Sequence, residues 1–188
     1  MTIDPDESTH GTIINWNATG FAVDSPIIVT YGPEDHRVAT GISDQAGSAS
    51  GTFRIPSDPD LLSSNTVEVT DNSGNIASTL HNIPHPAISS SSYVSPAGST
   101  ITITGRHFPV NRPLSDVTID GIVANYRPVD SFTDELGGFE IEVWIPHLSK
   151  GTSSLVANVH EDGQIVSVET QLEITRRLAP TLTLDQNQ

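Results

Sequence analysis

Gly98-Ser99-Thr100-Ile101-Thr102-Ile103-Thr104-Gly105 alternates threonine with isoleucine between two glycines, a period of two over a full strand. Side chains of a strand point alternately to opposite faces, so Ile101 and Ile103 are expected in a core and the threonines on the other side. The same phase runs through Gly138-Phe139-Glu140-Ile141-Glu142-Val143-Trp144-Ile145-Pro146. There Phe139, Ile141, Val143 and Ile145 form the inward set, leaving Glu140, Glu142 and Trp144 outward.

Both stretches have a counterpart upstream. Gly11, Ile14, Trp16, Phe21 and Pro26 precede Gly98, Ile101, Ile103, Phe108 and Pro113 by 87 residues. Asp44, Gly47, Phe53, Ile55 and Pro56 precede Asp134, Gly137, Val143, Ile145 and Pro146 by 90, and Gly74 and Ile76 precede Gly163 and Ile165 by 89. The chain is therefore a tandem repeat, each copy about the size of a seven-stranded sandwich. Trp16 takes the place of Ile103 and is expected in the first core. Turn residues such as Asn72-Ser73-Gly74 and Asp162-Gly163 separate the alternating segments, and none shows a helical period. The expectation is an all-β protein of two tandem sandwiches, residues 1–83 and 84–178, with 179–188 as the first strand of a third repeat. The proline-rich stretch His81-Asn82-Ile83-Pro84-His85-Pro86 reads as a stiff linker that favours an extended arrangement, with His81 and His85 on the surface.

Composition narrows the function classes. Eight Lys and Arg against 23 Asp and Glu give a net charge of −15, and Lys150 is the only lysine. Phosphate backbones are bound by basic side chains, so a nucleic-acid partner is excluded. No apolar run is long enough to span a membrane. The absence of cysteine removes thiol catalysis and zinc–thiolate sites. Thr2-Ile3-Asp4-Pro5-Asp6 after Met1 has neither basic nor apolar character, so an export signal is expected upstream and the chain reads as a piece of a longer protein.

At this point the residues carry a resemblance. Ser95 to Gly105, then Phe108, then Asp116-Val117-Thr118-Ile119-Asp120-Gly121 resemble the opening of IPT/TIG immunoglobulin-like modules. Asp134, Gly137, Phe139 and Pro146 resemble the second half of such repeats in bacterial and archaeal surface proteins. The first unit departs at Ala18, where the second has Gly105, and at Trp16. Leu182 to Gln188 resembles strand starts of archaeal surface-layer proteins. The resemblance implies immunoglobulin-like sandwiches in an extracellular, cell-surface setting and specifies no activity.

Site chemistry is sparse. The nearest approach to a nucleophile elbow, Gly47-Ser48-Ala49-Ser50-Gly51, has alanine at its centre. Glu140 and Glu142 lie on an open strand face, not across a cleft, so no enzyme is expected. No cofactor is required; calcium is the one candidate metal, at Asp130, Asp134 and Glu135, against a reading in which Asp44 and Asp134 only form Asx turns. Trp144, flanked by Glu140 and Glu142, is the candidate interaction residue, for a neighbouring repeat, another copy or a glycan. Asn17-Ala18-Thr19 is a glycosylation sequon at Asn17. The expected role is a non-catalytic element of a surface layer or stalk. The alternatives are an adhesin module, or a fibre subunit donating strand Thr181 to Leu184.

Overall fold

Alternation in the sequence becomes two separate pairs of sheets in the computed structural model, which describes residues 1–57, 63–129 and 131–176. The first unit contains β1 (Thr2–Asp4), β2 (Ile13–Thr19), β3 (Pro26–Tyr31), β4 (His36–Ile42), β5 (Ser48–Arg54), β6 (Ser64–Asp71) and β7 (Ile76–Asn82). They form a three-stranded sheet, β1-β2-β5, and a four-stranded one, β4-β3-β6-β7. The second unit contains β8 (Ala87–Ser90), β9 (Val94–Pro96), β10 (Thr100–Arg106), β11 (Leu114–Ile119), β12 (Ile122–Val123), β13 (Tyr126–Arg127), β14 (Phe139–Trp144), β15 (Gly151–Glu161) and β16 (Gln164–Thr175). Its sheets are β13-β14-β10-β8 and β12-β11-β15-β16-β9. Among the described residues, no sheet mixes strands from the two units.

Pairing is antiparallel except where the opening segment of each unit changes sheets. β8 pairs with β10, and then β9 runs parallel to β16. In the first unit β1 pairs with β2, and Glu7 then bridges Asn82 of β7 in parallel. Splitting the entry strand in this way closes one edge of both sheets over the core. The fold is all-β and immunoglobulin-like, two sandwiches in tandem. Among the described residues there is no helix, and so none long and apolar enough to cross a membrane.

Each sandwich has its own core. Ile14, Trp16, Phe21, Val29, Tyr31 and Phe53 lead the first; Ile103, Phe108, Phe139, Ile141, Leu155 and Ile174 lead the second. The inward set Phe139, Ile141, Val143 and Ile145 is buried as the alternation requires, and Trp16 is buried at 3% exposure. His81, expected on the surface of a linker, is instead fully buried in β7. Hydrophobicity misleads there, because the apolar Ile76 and Leu80 of β7 are exposed while Ala77, Thr79 and His81 face inward. The segment without strand character between the units is thereby shortened to Ile83 to Pro86. The expected third-repeat strand lies outside the described residues.

Candidate functional site

Among the described residues, four places gather chemically capable side chains. The first is internal. Ser8 Oγ lies 3.0 Å from His81 Nε2, and Tyr31 Oη lies 2.8 Å from His81 Nδ1. A hydroxyl, an imidazole and a second hydroxyl in line have the connectivity of a nucleophile, base and orienting group. The surroundings deny them that chemistry. Burial lowers the imidazole to about 4, against opposing help from Asp6, so it is a weak base at neutral pH. Burial also pushes the Tyr31 phenol up, which keeps it neutral. The Ser8 amide, a natural oxyanion donor, is already spent on the carbonyl of Asn82. The three groups act as a hydrogen-bonded staple between the entry segment, β3 and β7.

The second place is a pair of turns. Asp134 Oδ1 accepts from the amides of Leu136 and Gly138 at 2.8 Å each, and Asp44 Oδ1 accepts from Ala46 and Ser48 at 2.8 and 2.9 Å. Each turn closes on a glycine, Gly47 or Gly137, with φ near +70°. A Cβ on Gly137 would stand 1.9 Å from the Phe108 carbonyl oxygen, and one on Gly47 2.3 Å from that of Phe21. Only glycine fits, and the aspartate is the Asx-turn acceptor. Glu135 is exposed beside Asp134, and Asp130 lies outside the described residues. Among the described residues no three His, Asp or Glu side chains come close enough to share a metal ion.

The third place is the outer surface around Trp144. Trp144 is half-buried, with Glu140 and Glu142 exposed on the same face of β14. The two-residue strand β13 explains the cover. Arg127 pairs with Glu142 across β13 and β14, placing Nε 2.6 Å from Glu142 Oε2 and its guanidinium 4.9 Å from the Trp144 ring centre. Such an exposed pair contributes no more than about 1 kcal/mol, and a cation over the ring about as much. Sequence reading found Trp144 and missed Arg127, because two-residue strands leave no periodicity. Asn17 is exposed on β2.

Between the units, the amide of Val110 donates to the carbonyl of His10 at 3.2 Å. A Cβ on Gly11 would come within 2.9 Å of Val110 Cγ2, so the two turns touch. Val110 is 6% exposed yet belongs to neither core. Beside this contact a cavity of about 250 Å³ is lined by His10, His85, His107 and Glu161. Glu161 Oε1 is buried there with no hydrogen-bond partner among the described residues.

The chain matches no protein-family model and no curated protein. Among solved structures it is similar to the D0-D1 domain of intimin, at 15% identity and a TM-score of 0.34, covering 91% of this chain and 96% of that one. It is likewise similar to the Yersinia pseudotuberculosis adhesin InvE, at 15% identity and a TM-score of 0.36, over 98% of this chain and 64% of that one. A third likeness is to Bacteroides ovatus SGBP-B of a mixed-linkage glucan utilisation locus, at 14% identity and a TM-score of 0.35, over 91% and 43%. At such scores the fold assignment rests on the strand order and pairing of this chain itself.

Proposed function

We propose that this chain is a non-catalytic structural segment of an exported cell-surface protein, a stalk or surface-layer element built from IPT/TIG-type modules. The observation that carries the reading is the direct abutment of the two sandwiches, in which Val110, buried outside both cores, lies against Gly11 and its amide donates to the His10 carbonyl at 3.2 Å. A load-bearing or spacing element needs joints that hold an angle, and a turn-on-turn contact beside a proline-containing linker supplies one. The side chains with catalytic potential are committed elsewhere: Ser8, His81 and Tyr31 to a buried staple, Asp44 and Asp134 to their own turns. A net charge of −15 keeps such segments soluble and apart in a crowded exterior.

The test is labelling of intact and permeabilised source cells with an antibody against this chain. Signal from intact cells is expected; signal only after permeabilisation would end the surface reading. A second reading, a glycan- or protein-binding module, is favoured by the half-buried Trp144 beside exposed Glu140 and Glu142. A glycan array separates the two, since that reading requires binding that Trp144→Ala abolishes.

A further inference from the structure

The opening segment of each unit runs parallel to that unit's last strand, so the two lie side by side where the chain enters and leaves. Tension along a stalk draws the first backward and the second forward, and the pair must slide past each other before the sandwich opens. Hydrogen bonds between strands that slide are strained together and share the force, whereas strands drawn apart from one end lose them one at a time. In the second unit the parallel ladder sets Val94, Ser95 and Pro96 against Glu173, Ile174 and Thr175. In the first it is a single bridge, Glu7 to Asn82, with Asn82 N–H donating to Asp6 O at 2.9 Å and Ser8 N–H to Asn82 O at 3.1 Å. What this unit lacks in backbone bonds it supplies in side chains. Ser8 Oγ reaches His81 Nε2 at 3.0 Å, and Tyr31 Oη on β3 holds His81 Nδ1 at 2.8 Å. Asn65 of β6 hydrogen-bonds the same phenol. Since Glu7 and Asn82 match Val94 and Glu173, Ser8 and His81 correspond to Ser95 and Leu172, and the longer ladder carries no imidazole.

From this we propose that the Ser8, His81 and Tyr31 side chains are a tension pin, which passes a pulling force from the entry segment of the first unit into β7 and β3 and sets that unit's resistance to being stretched end to end. The inference rests on the structural reading above and assigns the mechanical part of that role to one side-chain cluster. His81 and Tyr31 are fully buried, so water cannot replace their bond as it is strained. Every group in the pin belongs to one sandwich, and the pin joins that sandwich's entry to its exit.

Because the chain has no cysteine, paired cysteines placed by substitution fix the direction of pull in the full chain. Thr2→Cys with His85→Cys, both at exposed positions, loads the first unit end to end and leaves the second slack. Thr2→Cys with Ser73→Cys, on the turn between β6 and β7, holds the entry segment and β7 by the same ends and draws them apart sideways. Forced unfolding is governed by the unfolding rate, which a single-molecule trap reads at constant force. Ser8→Ala should raise that rate roughly tenfold end to end, the weight of one net hydrogen bond, and less than about threefold crosswise. Tyr31→Phe, which keeps the ring and deletes the hydroxyl, should act in the same direction and gives a second reading if Ser8→Ala does not fold. Ser43→Ala is the comparison. It deletes a buried hydroxyl that accepts from Ser25 N–H at 2.9 Å, on the loop between β4 and β5 and away from the entry and exit strands. Its end-to-end rate should change by less than about threefold. Equal acceleration in the two directions of pull, equal acceleration by Ser8→Ala and Ser43→Ala, or none from either pin variant would overturn the proposal. Cell labelling is read independently of force, so failure of the pin and failure of the surface assignment remain distinguishable.

Discussion

His81 makes the sharpest chemical demand on its surroundings. A neutral ring joined to Ser8 and Tyr31 is accommodated, whereas a protonated one would place a charge among Tyr31, Phe53 and the inner face of β7. Burial lowers its pKa from 6.5 to about 4, so the unfolded chain binds a proton that the folded chain refuses across that interval. Stability from this group is complete above pH 6.5 and is lost as the pH falls toward 4, to a total on the order of 3 kcal/mol. Asp71 acts over a lower range. The Ala22 amide, then Asn75, hold its carboxylate at about 2, so its contribution is present above pH 4 and disappears as the pH falls through 2. Urea unfolding followed by Trp16 fluorescence in a Trp144→Phe background checks the first effect. The midpoint should fall between pH 7 and 4 in the parent and stay comparatively flat in His81→Gln; parallel pH profiles for the two would refute the buried neutral imidazole.

Paired strands show why the first unit departs from the second without changing fold. β2 sets Trp16 opposite Gly51, whereas β10 sets Ile103 opposite Ile141. The indole fills the space left by the missing side chain, since a Cβ on Gly51 would sit 3.1 Å from the Trp16 ring. The reverse exchange occurs one pair along. Ala18 faces Ala49, while Gly105 faces Phe139, whose ring lies where a Gly105 Cβ would stand. Bulk is shared differently within each pair, one large member standing over a glycine in one unit and two similar members facing each other in the other. Trp16→Ile alone should cost about 2–4 kcal/mol through the void it leaves, although it also removes the unpartnered Nε1. Gly51→Ile alone should cost about 1–3 kcal/mol by overpacking. The double substitution should recover part of both, giving a coupling of at least about 1 kcal/mol in a double-mutant cycle. Additive losses would mean that the pair does not share one volume.

The two sandwiches meet through turns, and the buried Val110 lies against Gly11 at that meeting. Val110→Asp therefore separates joint from module. It places a carboxylate against Gly11 and His10 while leaving both cores untouched, so the melting of each unit should change by less than about 1 kcal/mol. Spin labels at Thr40→Cys and Glu140→Cys, one per unit and both exposed, should give a broader distance distribution in Val110→Asp than in its parent. An unchanged distribution would show that the linker alone sets the angle, and would remove the observation on which the structural reading stands.

Much of this fold is legible in the sequence. The strand phases, the 87- and 90-residue offsets, the burial of Trp16 and the Asx turns at Asp44 and Asp134 all follow from local rules: a two-residue period, and backbone angles that only glycine adopts freely. The candidate site was legible only in its one conspicuous residue, Trp144. Arg127 went unseen because β13 has two residues, and His81 because the apolar side of β7 faces water. Burial there is set by the partner strand, where Val67 and Val69 of β6 pair with Thr79 and Ala77 and carry His81 inward with them. The two valines make the division plain. Val23 and Val110 occupy the same position of the same turn, and nothing in their local sequence distinguishes an exposed side chain from a buried one. Val110 has Gly11 and His10 of the other unit against it, and burial is a property of what stands beyond a residue's own strand.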